Sequence, residues 1–376
     1  MDLVPGNIEV TIYTPPELEF SCYFITGLFE LDAQNKIKCN VNISLSTKRG
    51  LVWVNNGTIS RENRQHIKTC FYKLKDKATH KEVSFAVDSY DFAEGFCERA
   101  LNECKYLFKK NYNKEIADAL MKKYPARILP LGLIFGVRSK TIREQWKFFV
   151  GFMGGFVLRN LKFDSTGPSR LSAAWKKGKL EWGYFLKKRD IEDHRRFEQA
   201  DQNKVILQTR CFPGVDDHTQ QLHKDRNDLI TALKKGLGDK FIGGFVPDAN
   251  SRKLFPDNLT NLPTDPAGYL KLVKSASIGI YVRGLQFAPA FKMGEYLSQG
   301  KCIVSEPLTA ELPVPLENGK NIMFFKDPQD CVAICQELIA NPGKQKQLAA
   351  GARAYYEAYV DPAVNVERVL KILVSE

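Results

Sequence analysis

The 376-residue sequence has no Cys-x-x-Cys pair, no Asp-x-Asp pair and no apolar run long enough to cross a bilayer. Nine cysteines are scattered along the chain, an odd number without ligand spacing, which argues against a zinc ribbon and favours reduced thiols over a disulfide framework. Lack of Asp-x-Asp removes the simplest acidic pair for holding a divalent ion. The uncharged stretch Phe148–Leu158 is eleven residues long, and a spanning helix needs roughly twenty. Histidine is scarce, with five residues. His218 and His223, with Asp216 and Asp217 nearby, are only weak metal spacing, and no metal is expected. No repeat of 20–50 residues is evident. The start, Met1 to Gly6, lacks a basic region and an apolar core, so no secretory signal is expected and the chain reads as cytoplasmic.

What the chain does have is positive charge, unevenly placed. Lys and Arg number 55 against 43 Asp and Glu, a net +12. Through residue 203 the balance is 34 against 24, and beyond it 21 against 19, so the basic surface belongs to the first half and its connection to the second. Such a surface attracts anionic lipid, nucleic acid or an acidic acceptor, or serves solubility alone. The hydrophobic content of 44% is that of a globular protein, and the length suggests two domains.

Ile8–Tyr13 reads as a strand. Thr14-Pro-Pro-Glu17 after it has the spacing of a capping box, leading into a helix with apolar positions from Phe20 to Leu31. Ile37–Ser44, a pair turning at Asn55-Asn56-Gly57, Glu82–Asp88, Tyr106–Lys109 and Arg127–Val137 read as strands, and Phe92–Cys104 and Asn113–Lys123 as helices. Alternation of strand and helix predicts a parallel sheet covered on both faces. Ser139–Asn160 reads as a helix whose uncharged middle suits a buried helix or packed loop, with a membrane-dipping element as the alternative. Residues 164–202 are charged and irregular, as a connection between domains would be. The strand–helix pattern restarts at Lys204–Thr209 and runs through strands at Phe241–Val246, Ser277–Val282, Lys301–Ser305 and Asn321–Phe325.

Within that second pattern, Ala288–Glu306 carries the densest chemistry. Pro289 suits a helix start, Phe291, Met293, Tyr296 and Leu297 give an apolar side, and Gly300 supplies a left-handed end. Helix N-termini hold phosphate on free amides and a positive dipole end. Lys292 lies in the first turn and Glu295 one turn on, so a cation for a diphosphate and a carboxylate for ribose hydroxyls share one face.

The run Glu295-Tyr-Leu-Ser-Gln-Gly-Lys-Cys-Ile-Val304 resembles the donor-binding helix of GT-B glycosyltransferases, in which a Glu grips the ribose of a nucleotide sugar. Many retaining members carry another Glu eight positions earlier, where this chain has Phe287. The resemblance covers roughly residues 203–372. It implies an α/β fold of GT-B type, with two Rossmann-like domains facing across a cleft. The expected parts are an acceptor-side domain at 1–165, a linker at 166–202 and a nucleotide-sugar domain at 203–361. Asp361-Pro362 marks a helix break, after which residues 362–376 return to the first domain.

Ligands of open parallel sheets sit at the carboxyl ends of strands. The polar residues there make Arg210, Lys224, Arg226, Arg283, Lys292 and Glu295 the donor-binding candidates, with Glu306 beside them. A helix N-terminus with basic side chains can offset the leaving diphosphate's charge without a metal. For an acceptor base the first half offers Glu17 and Glu19 after one strand, and Asp88 and Asp91 after another. Capping accounts for Glu17, so Asp88 and Asp91 are the catalytic candidates.

The expected activity is metal-independent transfer of a hexosyl or deoxyhexosyl group from a nucleotide sugar to a hydroxyl, in glycan or glycoconjugate assembly. The acceptor would be a glycan, a glycolipid or a protein-linked group, with peripheral membrane contact and no cofactor. Two other readings stay open: a basic nucleic-acid-binding protein on a doubly wound scaffold, and a non-catalytic GT-B homologue. The first lacks any recognised nucleic-acid motif, and nucleic acid is not an expected partner.

Overall fold

The computed structural model describes residues 3–14, 17–44, 50–64, 68–140, 142–161, 167–198, 200, 202–214 and 216–375. The chain divides into two α/β units. Unit 1 comprises residues 1–191, 310–313 and 361–376, and unit 2 residues 192–309 and 314–360.

Unit 1 is built on a six-stranded sheet ordered Lys38–Ile43, Ile8–Thr14, Thr69–Asp76, Glu82–Asp88, Tyr106–Lys109, Arg127–Pro130. Five strands run one way, and Thr69–Asp76 runs against both its neighbours. That antiparallel strand departs from the all-parallel expectation. Its sequence carries the period-two signal, since Cys70, Tyr72 and Leu74 point inward and Lys73 and Lys75 do not. Pro130 ends an edge strand, where a missing N–H is tolerated. A small separate sheet holds the pair Leu51–Asn55 and Thr58–Glu62, turning at Asn56-Gly57 as expected, with Gly95–Cys97 beside it. Part of the stretch read as the Phe92–Cys104 helix is therefore strand, and the helix is confined to Glu98–Glu103.

The helix Leu18–Ala33 covers one face of the sheet, and the C-terminal helix Pro362–Ser375 packs on it. Gly27 permits this close approach: a Cβ there would stand 2.3 Å from the Pro362 carbonyl oxygen. Ile142–Asn160 is helical, and its uncharged centre is packed, with Phe148, Phe152 and Met153 buried. Gly151 lies against Val41 of the edge strand, 2.5 Å from where its Cβ would be. Among the described residues no helix is long and apolar enough to cross a membrane. Where an irregular connection was expected, Gly167–Leu186 forms a 20-residue helix. Ala174 and Phe185 are its buried stripe, and the three lysines within those bounds mask the periodicity in the sequence.

Unit 2 contains a five-stranded sheet, parallel throughout, ordered Phe241–Phe245, Gln202–Thr209, Ala276–Tyr281, Cys302–Ser305, Met323–Phe324. Its core interleaves Val205, Leu207, Ile278 and Ile280 of the central strands with Leu229, Ile230 and Leu233 of the helix Asp217–Leu237. Strands buried on both faces read as continuous apolar runs, which is why this half was the more legible.

Candidate functional site

Numbering unit 2's strands along the chain, the sheet order is 2-1-3-4-5. The winding reverses between Gln202–Thr209 and Ala276–Tyr281, and in such sheets the crevice beyond those two strand ends takes the ligand. Arg210 follows the first of these strands directly, and Arg283 lies two residues past the second.

Arg226 joins the two exits. It is buried on the helix Asp217–Leu237 and donates from Nη1 to the Arg210 carbonyl (2.8 Å) and from Nη2 to the Arg283 carbonyl (2.7 Å). Burial lowers its pKa to about 10, a drop that the Glu306 carboxylate opposes, so the guanidinium stays charged at neutral pH. Arg283 is itself clamped. Its backbone N–H and Nη1 donate to the two Glu306 oxygens at 2.8 Å each, and Nη2 pairs with Asp225. These two arginines hold the crevice in shape. Lys224 stands two residues before Arg226, about 200° away around the helix, and is exposed. The arrangement turns it from the strand exits and gives no sign that it meets a ligand there.

Three candidates do converge. The helix Phe291–Ser298 begins after Ala290, without a side-chain cap, and the Ala290 N–H donates to the Tyr281 hydroxyl (2.9 Å), which pins the helix start to the end of the central strand. The helix thus opens two residues after Pro289 rather than on it. Lys292 lies in the first turn, with its ammonium 3.9 Å from the centre of the Tyr269 ring. Burial depresses the Lys292 pKa to about 8; Glu295 one turn on supports the charge, while Arg210 and Arg226 act against it. Lys292, Glu295 and Arg210 therefore share one electrostatic neighbourhood. Lys292 makes no hydrogen bond or ion pair among the described residues, and Arg210 is exposed. A half-buried ammonium without a hydrogen-bond partner among the described residues, at an uncapped helix start, has the chemistry to take an anion.

Gln286 and Phe287, in the loop before this helix, take left-handed backbone conformations in succession, with φ of 54° and 57°. Such angles are costly for residues with side chains and persist where surroundings enforce them. Here Gln286 N–H donates to His218 Nε2 (3.1 Å), and the Phe287 carbonyl accepts from Thr309 Oγ1 (3.1 Å). His223 accepts from the Phe212 N–H (2.8 Å), and Asp216 caps its helix by accepting from Thr219 N–H. The histidine and aspartate cluster is thus engaged in fixing loops. Among the described residues no three His, Cys, Asp or Glu gather as metal ligands.

In unit 1 the strand-end carboxylates are spent on neighbours. Asp88 is fully buried beside the equally buried Lys109, 3.6 Å away, and accepts from the Tyr90 N–H (2.8 Å). Asp91 receives Lys68 and Lys110, each at 2.7 Å. Burial pushes the Asp91 carboxyl up, but the two ammonium groups outweigh it and hold it below the usual range. Neither arrangement suits a base that must meet an incoming hydroxyl, because one is sealed and the other is twice ion-paired.

Glu17 behaves differently from the capping residue expected. It occupies the N-cap position of Leu18–Ala33 but makes no side-chain cap bond, and Thr14 Oγ1 donates instead to the carbonyls of Asn42 and Gly151. Pro15 and Pro16 lie outside the described residues. The Leu18 N–H is met weakly by Glu181 Oε2 at 3.4 Å. One Glu17 oxygen is buried without a hydrogen-bond partner. Burial first, and the Glu181 charge second, raise its pKa to about 7. Sequence reasoning set Glu17 aside because its spacing explained it. Glu181 sits 164 residues away, and no local signal pairs the two.

Residues 226–371 match the family model described as glycosyl transferase-like, which agrees with the resemblance carried by Glu295–Val304. No curated protein matches the chain in sequence. Among solved structures, that of S. aureus MnaA with UDP is 12% identical, covering 97% of this chain and 95% of its own, with a TM-score of 0.40. WaaG, a glycosyltransferase involved in lipopolysaccharide biosynthesis, is 13% identical, with coverage of 74% and 66% and a TM-score of 0.40. Anabaena HepE with UDP and glucose is 13% identical, with coverage of 73% and 78% and a TM-score of 0.37.

Proposed function

We propose that this chain, whose residues 226–371 match the glycosyl transferase-like family model, transfers a sugar from a nucleotide-sugar donor to a hydroxyl acceptor. One observation carries the reading: the Lys292 ammonium, desolvated and without an anionic hydrogen-bond partner, stands at the uncapped start of the helix beyond the strand crossover of unit 2. A diphosphate supplies the charge that Lys292 lacks. Arg210 adds a second cation from the exit of the first strand, and Glu295 accepts the ribose hydroxyls one turn on. As the sugar leaves, negative charge grows on the diphosphate, and a fixed cation and helix dipole stabilise that change more than the ground state. Arg226 and Arg283 position the strand ends and do not touch the donor.

On the acceptor side, Glu17 replaces Asp88 and Asp91 as the general base of this proposal. A carboxyl with a pKa near neutrality is half ionised at working pH and still basic enough to take a hydroxyl proton. The donor is a nucleoside-diphosphate hexose or deoxyhexose, transferred without a metal to a glycan, glycolipid or protein-linked hydroxyl.

Titration with nucleoside diphosphates in the presence of a chelator tests the reading. Binding by wild type, and its loss in Lys292→Ala, is the expected result. Equal binding by both would reject the donor site. Binding without any transfer or donor hydrolysis would instead favour a non-catalytic homologue, and stabilisation by oligonucleotide alone a nucleic-acid-binding protein.

A further inference from the structure

Exposed apolar side chains are concentrated in one part of unit 1. Among the described residues, eight of the fourteen large hydrophobic side chains that stand in solvent fall between Trp146 and Leu186. They belong to the helices Ile142–Asn160 and Gly167–Leu186 and to Leu161 just past the first. The inner faces of these helices are well satisfied: Phe149 and Phe152 meet Trp182 at ring distances of 4.8 and 6.0 Å, and Gly178 lets Met153 approach closely. The outer faces are not. Trp146, Val150 and Leu158 fall within about a third of the first helix's circumference at 100° per residue, and Trp146 is 65% exposed. Trp175, Leu180 and Leu186 are about half exposed on the second.

Charge coincides with this apolar surface. Residues 140–190 contain twelve Lys and Arg against four Asp and Glu, so they hold +8 of the chain's +12. Lys176, Lys179 and Lys187 are exposed on the same side of the second helix as Leu180 and Leu186. That mixture selects the occupant. The core of a protein–protein interface is depleted in lysine, because each ammonium would have to be desolvated and paired. At a bilayer surface the same lysines extend their apolar stems toward the acyl region and leave their ammonium groups among headgroup phosphates, while tryptophan sits at the boundary. Neither helix is apolar enough to span, so the pair would lie on the surface and not cross it.

We propose that the outer faces of Ile142–Asn160 and Gly167–Leu186 form a docking surface for an anionic lipid bilayer, with Trp146, Val150 and Leu180 entering the interface and Lys176, Lys179 and Lys187 reading its charge. This inference uses none of the donor-site residues and stands or falls separately from the proposed transfer activity.

The full chain is sedimented with vesicles of phosphatidylglycerol mixed equally with phosphatidylcholine, and with vesicles of phosphatidylcholine alone. Binding to the anionic vesicles, a blue shift of tryptophan emission on adding them and weakening by salt are expected. The triple variant Lys176→Glu/Lys179→Glu/Lys187→Glu should bind at least about tenfold more weakly, and Trp146→Ser/Leu180→Ser should weaken binding and reduce the emission shift. Both sets change exposed residues, and unchanged nucleoside-diphosphate affinity and thermal unfolding would verify that each variant is folded. Failure of wild type to bind anionic vesicles would overturn the proposal, as would undiminished binding by both variants. Concentration-dependent self-association that these substitutions abolish, without vesicle binding, would overturn it in favour of a second copy of the chain.

Discussion

Both units carry charged residues at the carboxyl ends of their parallel strands or on the elements that follow, and they treat them in opposite ways. In unit 1, Asp88 is sealed against Lys109 and Asp91 is held between Lys68 and Lys110, so each charge is answered from within. In unit 2, Arg226 and Arg283 are answered too, by carbonyls and carboxylates, but Lys292 is half-buried beside an uncapped helix start with no hydrogen-bond partner among the described residues. A strand-end charge thus marks a ligand site only when the fold desolvates it and withholds its counter-ion. The first pattern predicts effects on stability, and the second effects on binding.

Breaking the unit 1 network should give the largest change. Asp88→Ala strands the buried Lys109 ammonium and should cost about 3–5 kcal/mol of stability, read by denaturant titration, while nucleoside-diphosphate affinity stays as in wild type. Next, Lys292→Ala should slow transfer by about 10²-fold and leave the unfolding midpoint nearly unchanged, since a desolvated unpaired cation contributes little to folding. Glu295→Ala should weaken nucleotide binding by roughly 1.5–3 kcal/mol, the range for hydrogen bonds to charged groups, measured by calorimetry. An Asp88 variant with weakened nucleotide affinity, or a Lys292 variant that unfolds readily, would dissolve the distinction.

The smallest effect concerns Glu17. Its folded pKa of about 7 lies above the ordinary carboxyl value of 4.5, so its contribution favours folding most below pH 4.5 and is lost as pH rises through 7. Glu17→Gln should therefore be nearly neutral for stability in acid and stabilising by about 1 kcal/mol above neutrality, a figure discounted for partial solvent exposure. The same variant should lose transfer while keeping donor affinity. Transfer undiminished in Glu17→Gln would remove the base assignment and leave the donor site intact.

Unit 2 was legible because its signals are local. Lys292 and Glu295 sit three residues apart, Gly300 closes the helix with its left-handed φ of 51°, and Cys302–Ser305 follows as a continuous buried run. Even there, Arg226 and Arg283 looked like ligand contacts because sequence shows a guanidinium and not the carbonyls it reaches. Unit 1 was less legible because its decisive contacts are distant. Thr14, which had the spacing of a cap, bonds to Gly151 instead, 137 residues on, and this frees Glu17. Asp88 and Lys109 are neighbours only through strand pairing. Asp91 lies between two lysines, Lys68 and Lys110, that flank separate strands.

The central claim is that Lys292 is a desolvated cation awaiting a diphosphate, and titration of a nucleoside diphosphate at two pH values tests it most directly. A pKa near 8 in the empty site means that wild type should bind tightly at about pH 7 and take up protons and weaken by about tenfold at about pH 9.5. Lys292→Ala should bind weakly at both, without proton uptake. Wild-type affinity that is the same at both pH values, or a Lys292→Ala protein that binds as tightly as wild type, would contradict the account.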